Sequence, residues 1–382
     1  MTTCGANDAA PALWSPTMIG ERLRTVIVQP ATLCNLDCDY CYLPGRHRQT
    51  LMPVKVTERL ANSLAAQPAD LPIEVVWHGG EPLTTPLAHM RSLLTPFEPL
   101  RTAGRVRHGV QTNATLITPG WVDLLREYHF QVGVSVDGPK TLNATRVDRA
   151  GRSSFTRTLT GIDRLKAAGI AFSVICVVTA DSITFPDELI GFFADLGCAS
   201  VGFNIEELEG LNAHRCQVTA EQAQEFWARL WHLRSAYPQL RIRDLDRLRG
   251  WIAHAKAGNE TPASVYDPIP TVSATGQVVV LSPELLGVTA ARYDDFIVGN
   301  VLTEPLPAMM ARLKGVSYVR EFDTGLRRCA VECEFWSFCR GAQAGNRFFE
   351  HGRFDITETN YCRTTYQAIV RSALNHTRGA TP

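Results

Sequence analysis

Short runs of β-branched and apolar residues alternate with segments of helical periodicity through about residue 240. Six runs predict strands, at residues 22–28, 73–77, 105–111, 130–136, 171–178 and 200–205. Six further segments predict helices, at residues 54–67, 86–98, 119–128, 153–168, 185–196 and 220–236. Because strand–helix repetition is typical of a parallel sheet, the pattern predicts an α/β fold, a partial (β/α)6 TIM-type barrel.

Polar or glycine-rich signatures follow the first four predicted strands. CNLDCDYC follows the first strand, HGGEP (78–82) the second and QTN (111–113) the third, and SVDGP (135–139) ends the fourth. The carboxyl ends of barrel strands lie at one rim, where catalytic groups gather. The four segments therefore predict a single active site.

Three cysteines lie close together in the first signature. Cys34, Cys38 and Cys41 supply thiolates, the soft ligands that hold iron–sulfur clusters. Four ligands normally complete a [4Fe–4S] cluster, so a group of three leaves one iron open to another molecule. The alternatives are a zinc knuckle and three ordinary buried cysteines, but zinc sites favour cysteine pairs, and no suitable second pair lies nearby.

Composition limits the class of protein. The chain has 382 residues, 45% of them hydrophobic, which is enough for two domains or for one large barrel with an appendage. Lys+Arg and Asp+Glu both number 38, so no broad basic face for nucleic acid is expected. The sequence shows neither a secretory signal nor a run of about 18 apolar residues. We expect a cytoplasmic protein without a membrane span, whose clustered cysteines bind metal.

The spacing C-x3-C-x-Y-C resembles the defining loop of the radical SAM enzymes. The resemblance implies that S-adenosylmethionine (SAM) binds the open iron and that Tyr40 lies near the adenine. Gly79 and Gly80 would let the backbone approach the methionyl amine, and Glu81 would accept a hydrogen bond from it. Asn113 and Ser135 would hold the methionyl carboxylate or the ribose hydroxyls.

A longer segment, DGPKTLNATRVDRAGRSSF, resembles the peptide-modifying subgroup of radical SAM enzymes. There an arginine matching Arg146 pairs with the SAM carboxylate, a task that suits a bidentate guanidinium. Leu142 and Asn143 depart from the His-Asp that is common in the subgroup.

Four further cysteines near the C-terminus can close a second site. Their spacing, C-x3-C-x5-C-x22-C, resembles a truncated SPASM domain, a small C-terminal iron–sulfur (SPASM- or twitch-like) extension. Gln343 and Leu281 stand where that pattern has cysteines, so one auxiliary [4Fe–4S] cluster is expected, with structural zinc as the alternative. The expected ligands are Cys329, Cys333, Cys339 and Cys362. Cys4, Cys176, Cys198 and Cys216 are assigned to neither site.

The domain boundaries follow from these assignments. We expect a flexible tail at 1–20, the barrel at 21–236, a bridging segment with a β-hairpin at 237–300 and the auxiliary-cluster domain at 301–382. Within the bridge, SPELLGV and YDDFIVGNV resemble maturases that form three-residue cyclophanes in ribosomal peptides, and TETNYC near the end supports the same subgroup.

These resemblances imply an enzyme that cleaves SAM to a 5′-deoxyadenosyl radical and installs an oxidative C–C crosslink in a precursor peptide. The alternatives are a thioether crosslink, epimerisation, formylglycine formation and a non-catalytic iron–sulfur adaptor. Expected partners are the peptide, an electron donor such as flavodoxin or ferredoxin and, as no leader-gripping N-terminal module is seen, a separate leader-binding protein. Ser282 stands where sulfatase-maturing enzymes have an Asp base. The candidate proton acceptors are Glu206, Asp267, Glu284 and Asp295.

Overall fold

The computed structural model describes residues 17–258 and 266–379, with side chains through residue 374. Its strands are β1 (Thr25–Val28), β2 (Ile73–Trp77), β3 (Val106–Thr112), β4 (Gln131–Ser135), β5 (Phe172–Val178), β6 (Ser200–Ile205), β7 (Arg241–Ile242), β8 (Thr271–Val272), β9 (Gln277–Val279) and β10 (Gly299–Asn300). Its helices are α1 (Val54–Ala65), α2 (Leu87–Leu94), α3 (Glu98–Thr102), α4 (Pro119–Glu127), α5 (Phe155–Ala167), α6 (Pro186–Leu196), α7 (Ala220–Leu233), α8 (Arg243–Lys256), α9 (Leu306–Ala311), α10 (Ser317–Glu332), α11 (Trp336–Cys339), α12 (Ala344–His351) and α13 (Ala368–Gly379).

All strands of the described residues belong to one sheet, in the order β10-β9-β8-β1-β2-β3-β4-β5-β6-β7. Neighbours from β8 through β1 to β7 are parallel, and β8-β9-β10 are antiparallel. Val28 pairs with Trp77, and Trp77 pairs with Val110. The register therefore brings the ends of β1, β2 and β3, and the signatures that follow them, to the same edge.

The six predicted βα units are present, but the second predicted helix, 86–98, was wrong as one continuous element. It is divided into α2, a 3-10 turn at Thr95–Phe97 and α3. Pro96 and Pro99 lack the backbone N–H that a continuous helix needs, and their rings crowd the preceding turn. The other predicted ends differ by at most three residues.

The segment 237–300, expected as a bridge with a β-hairpin, contributes strands to both edges of the sheet. Strand β7 pairs with β6, and β8 pairs with β1 before turning into β9. Strands of two or three residues are too short to show an alternating pattern, so the sequence does not reveal that β7 joins β6 or that β8 joins β1.

Residues 17–20, predicted as the end of a tail, are hydrogen-bonded in the structure. The Met18 amide donates to Asp323 Oδ1 at 2.6 Å, and the Tyr266 amide donates to the Met18 carbonyl at 2.7 Å. These partners are more than 200 positions away in the sequence, which is why composition misses them. The remainder of the predicted tail, including Cys4, lies outside the described residues.

The C-terminal helices share a core with the barrel. Trp227 Nε1 in α7 donates to the Thr364 carbonyl at 2.9 Å, and buried side chains such as Phe322 and Phe354 belong to the same hydrophobic cluster as the strands. Helix α13 packs along α7. No helix in the described part of the chain is long and apolar enough to cross a membrane.

Candidate active site

A cavity of about 400 Å³ opens at the carboxyl ends of the central strands. Its lining includes every residue predicted for SAM and its cluster: Cys34, Cys38, Cys41, Tyr40, Gly79, Gly80, Glu81, Asn113, Ser135 and Arg146. The fold thus brings together residues separated by more than 100 positions. The roles of the individual residues in binding SAM and the cluster stay predictions, which their shared position in one cavity supports.

The three thiols share one environment. Burial, with the nearby Glu81 carboxylate second, raises the pKa of Cys34 to about 12, and burial raises that of Cys38 to about 11. Each of these pKa values is also raised by neighbouring cysteines, since like charges oppose ionisation. Cluster irons would offset that repulsion, so the donor set fits a cluster with one open iron. Among residues 17–258 and 266–379, no three His, Cys, Asp or Glu are arranged to hold a single metal ion.

Backbone hydrogen bonds hold the cysteine loop in place. The Asp37 amide donates to the Val147 carbonyl at 2.8 Å, and the Asp39 amide donates to the Thr145 carbonyl at 3.1 Å. The Leu36 amide donates to Cys34 Sγ at 3.4 Å. The segment before α5 therefore holds the cysteine loop through backbone hydrogen bonds.

Gly80 is required by packing within the protein. Its φ is +62°, and a Cβ there would lie 2.6 Å from the carbonyl oxygens of Thr32 and Leu33. The sequence-based expectation concerned only the approach to SAM. The structure shows that the same glycine lets the HGGEP turn contact the cysteine loop.

The buried carboxylate of Glu81 already has several partners. Oε1 accepts from Leu83 N at 3.1 Å and Thr112 Oγ1 at 2.6 Å, and Oε2 accepts from Asn113 N at 2.7 Å. Burial raises the Glu81 pKa, and these hydrogen bonds oppose that shift. With about four lone-pair sites, the carboxylate keeps capacity for an ammonium group.

Asn113 and Ser135 are likewise engaged with protein groups. Asn113 Nδ2 donates to Asn35 Oδ1 at 2.9 Å, which ties the end of β3 to the cysteine loop. Ser135 Oγ accepts from Gln111 Nε2 at 2.8 Å. Both residues line the cavity. Asn113 also holds the cysteine loop in position through its hydrogen bond to Asn35.

Arg146 lies in a buried network that includes a residue missed by the sequence reasoning, Asp137. Tyr40 Oη donates to Asp137 Oδ2 at 2.7 Å, and Arg146 Nη1 donates to Tyr40 Oη. Asn143 supports the network, since its Oδ1 accepts from the Asp137 amide at 2.9 Å. Arg146 Nε is buried without a hydrogen-bond partner, so this cation fits a ligand carboxylate.

The four candidate proton acceptors lie in different places. Glu284 lines the cavity. Glu206 is paired with Arg215, and Asp295 Oδ1 accepts from the Ala290 amide. Asp267 Oδ1 accepts from the Ile269 amide, near the start of β1 and away from the cavity edge.

Two further carboxylates, Glu207 and Glu209, lie near Glu284. Burial raises the pKa of each well above its usual range, and the Glu284 carboxylate raises both further. Burial also raises the pKa of Glu284, while a hydrogen bond from Ser282 opposes the shift. Glu207 and Glu209 lie in the run ELEGLN (207–212), which follows β6. Because catalytic groups gather at the carboxyl ends of barrel strands, this position could have identified them as candidate site residues.

A second cavity, of about 330 Å³, is lined by all four C-terminal cysteines. Burial and then Cys362 raise the pKa of Cys339 to about 12. The buried Arg347 donates from Nη2 to Cys329 Sγ at 3.5 Å, placing a cation beside thiolates that carry negative charge. Cys362 begins a π-helical turn, Cys362–Gln367, a local widening that is frequent at functional sites. The four-thiol set fits an auxiliary cluster.

Comparison with known proteins identifies the family. The sequence profile of the Radical SAM superfamily matches residues 28–183, which include the cysteine loop and strands β2 to β5. An uncharacterized protein of Synechocystis sp. is 34% identical over 355 residues, 90% of this chain and 89% of that protein. Residues 28–183 therefore form a radical SAM domain, and the chain is a radical SAM enzyme. The predicted SAM and [4Fe–4S] cofactors are confirmed at the level of the family.

Other relatives match over shorter lengths or at lower identity. The serine-type anaerobic sulfatase-maturating enzyme of Klebsiella aerogenes is 31% identical over 204 residues, 52% of this chain and 50% of that enzyme. The structure of anSMEcpe with AdoMet and Cp18Cys peptide has a TM-score of 0.75 at 20% identity, covering 93% of this chain and 98% of that one. Streptococcus suis SuiB bound to precursor peptide SuiA has a TM-score of 0.65 at 17% identity, covering 90% and 76%. These structures confirm the predicted fold class.

Replacing Gly80 with Ala tests the contact between the two loops. We expect loss of up to about half of the bound iron, because the cysteine loop must move. Gly45→Ala is the matched control: Gly45 also has positive φ, +69°, but a Cβ there meets nothing within 4 Å. The control carries only the left-handed strain of about 1–2 kcal/mol and should retain its iron. Equal iron content in both variants, measured after anaerobic reconstitution, would contradict the packing argument.

The two cysteine groups should contribute separately to metal content. Replacing Cys34, Cys38 and Cys41 together with Ala should leave about half of the wild-type iron. Gln343→Ala should leave it unchanged, because Gln343 is not part of the cavity lining and donates from Nε2 to Tyr361 Oη at 3.4 Å. Iron and zinc are measured together. Full iron in the triple variant would overturn the first assignment, and one retained zinc with little iron would show that the second site holds zinc.

Glu209→Gln should alter the pH dependence of stability. An acid whose folded pKa is raised stabilises the folded state below its unfolded pKa, about 4.3, and this contribution is lost as pH rises through the folded pKa. The variant should therefore gain on wild type as pH rises, by roughly 2–4 °C in Tm at pH 8. Glu225→Gln, on the exposed face of α7, is the control. Parallel Tm curves from pH 5 to 8 for Glu209→Gln and wild type would contradict the raised pKa.

Proposed function

We propose that this radical SAM enzyme installs an oxidative, cyclophane-type C–C crosslink between side chains of a ribosomally made precursor peptide. The observation that carries the proposal is the position of the SPELLG segment, whose sequence resembles that of cyclophane-forming maturases. Pro283 and Glu284 line the SAM cavity. A Cβ at Gly287 would lie 3.1 Å from Pro44 Cγ, so the segment also packs against the chain just after the cysteine loop.

The proposed roles of the cavity residues follow from their chemistry. When bound, SAM and its cluster supply a 5′-deoxyadenosyl radical that takes a hydrogen atom from carbon. Arg146 would orient the SAM carboxylate through its unpartnered Nε, and Tyr40 and Asp137 hold the guanidinium in position. Glu81 would accept from the methionyl ammonium. Apolar side chains such as Leu43 and Val177 exclude water from the same space.

Forming the crosslink requires loss of a proton and an electron after the first hydrogen atom is removed. When a carbon radical adds to an aromatic ring, these two losses restore aromaticity, and the peptide loses two hydrogens in total. Glu284 is suited to accept the proton, because it lines the cavity and burial raises its pKa. Cys329, Cys333, Cys339 and Cys362 would hold the cluster that can take the electron.

The partners proposed are the precursor peptide, an external electron donor such as flavodoxin or ferredoxin and a separate leader-binding protein. Support for a peptide substrate comes from the similar folds of anSMEcpe and SuiB, whose structures contain peptides. These two structures support a peptide substrate because they show that a protein of this fold can bind a peptide.

A second candidate function is formylglycine formation. It is favoured by the relatives named sulfatase-maturating enzymes, at 28–31% identity over about half of this chain. Ser282 stands where those enzymes have an Asp base, and Ser282 here donates to Glu284. Oxidation of serine to formylglycine also removes two hydrogens, so mass alone does not separate the two reactions.

The proposal is tested by co-expressing the enzyme in oxygen-poor cells with a precursor peptide encoded beside it. We expect a peptide lighter by two hydrogens, with no aldehyde and with suppressed fragmentation between the joined residues. Cys34→Ala should abolish the change, and Cys216→Ala should retain it, because Cys216 is exposed and lines neither cavity.

Reaction of the product with a hydrazide would contradict the crosslink and favour formylglycine. A product of unchanged mass from a peptide bound by the enzyme would contradict both oxidations. The readout is intact mass followed by fragmentation.

A further inference from the structure

Three carboxylates form a group beside the SAM cavity. The proposed reaction assigns a role to only one of them, Glu284. We call Glu207, Glu209 and Glu284 the carboxylate cluster. Glu209 is only 6% exposed, and its Oε1 is buried without a hydrogen-bond partner. Glu207 Oε2 is also buried and unpartnered. Buried carboxylate oxygens without donors are costly, so the arrangement favours a proton or a cation at these oxygens.

No basic side chain of the described residues forms an ion pair with a member of the cluster. The nearby Arg215 is paired with Glu206 and Asp39, and Arg243 is paired with Asp244. A fourth carboxylate, Glu350, lies near the group, but both of its oxygens have donors: Oε1 accepts from the Tyr361 amide at 3.3 Å, and Oε2 accepts from the Asn360 amide. Unlike Glu350, Glu207 and Glu209 each keep one buried carboxylate oxygen without a donor.

Glu284 is the member of the cluster that lines the SAM cavity, and α12 begins close to Glu209. Glu284 and Tyr42 line the cavity, whereas Glu207 and Glu209 are not part of its lining. A Cβ at Gly345 in α12 would lie 2.5 Å from Ser282 Oγ and 3.6 Å from Glu209 Oε1. A ligand that entered from the cavity would therefore meet Glu284 first and reach Glu207 and Glu209 beyond it.

We propose that the carboxylate cluster binds the cationic end of a lysine or arginine side chain of the peptide substrate. A bound metal ion is disfavoured, because no three acidic side chains of the described residues are arranged to hold one. An ammonium or guanidinium is larger and has several donors, which suits acceptors that are spread over three side chains. The inference rests on the proposed peptide-modifying function. It further specifies that the peptide substrate carries a positively charged residue.

The test uses two probes that differ in one charge: N-acetyl-lysine N-methylamide and N-acetyl-norleucine N-methylamide. Calorimetric titrations are made with the reconstituted, SAM-loaded enzyme. Wild type should bind the lysine probe about tenfold or more tightly than the norleucine probe, as expected for a buried charge-assisted contact. Glu209→Gln should remove most of that preference. Glu225→Gln, exposed on α7, should keep it.

Equal affinity of wild type for the two probes would overturn the inference. So would a preference that survives in both Glu209→Gln and Glu207→Gln, a second variant that covers the case in which the first does not fold. Normal probe binding by Glu209→Gln with slower crosslinking would show that the cluster is a proton acceptor only.

The two proposals fail separately. If precursor peptides are crosslinked equally well after every Lys and Arg near the crosslink is replaced by Gln, the cation site is wrong and the proposed function stands. If the lysine probe is preferred but no peptide is oxidised, the cation site stands and the function is wrong.

Discussion

Glu81, through its carboxylate and its backbone amide, connects the ends of the first three strands. Its oxygens accept hydrogen bonds from Thr112 Oγ1 and Asn113 N at the end of β3 and from Leu83 N in its own turn, while its amide donates to the Leu33 carbonyl at 2.9 Å. Glycine at position 80 makes this approach possible. The position of the cysteine loop, and therefore of the SAM cavity, depends on this buried junction. A carboxylate buried to this extent is tolerated because each oxygen has donors.

Charge is balanced differently at the two cysteine sites and at the carboxylate cluster. Arg146 lies near the first three thiols and lowers the pKa of Cys38, and Arg347 donates to Cys329 in the second set. Each cation is held by neutral groups or by a single carboxylate, so it retains capacity to interact with thiolates or ligands. The carboxylate cluster has no such partner among the described residues. This asymmetry distinguishes sites that suit anionic groups from one that suits a cation.

Several residues of the site could not be found from the sequence. Asp137 was visible in SVDGP, but only the fold places it against Tyr40 and Arg146. Arg347 lies between two cysteine motifs with no distinguishing local pattern. Glu209 follows a strand like many loop acids, and its burial depends on α12 and the SPELLG segment packing over it. Each of these roles arises from long-range packing, which residue type and spacing do not encode.

The sequence by itself determined the repeat of strands and helices, the two cysteine groups and the signatures at the strand ends, because periodicity and ligand spacing are local properties. It also determined that those signatures share one edge, since parallel strands must end together. Only the tertiary structure decided that residues 237–300 extend the sheet at both edges, that residues 17–20 pair with Tyr266 and Asp323, and that Glu284 faces the cavity while Asp267 does not. These outcomes depend on contacts between distant segments, whose energies are set by burial and hydrogen bonding in the folded chain.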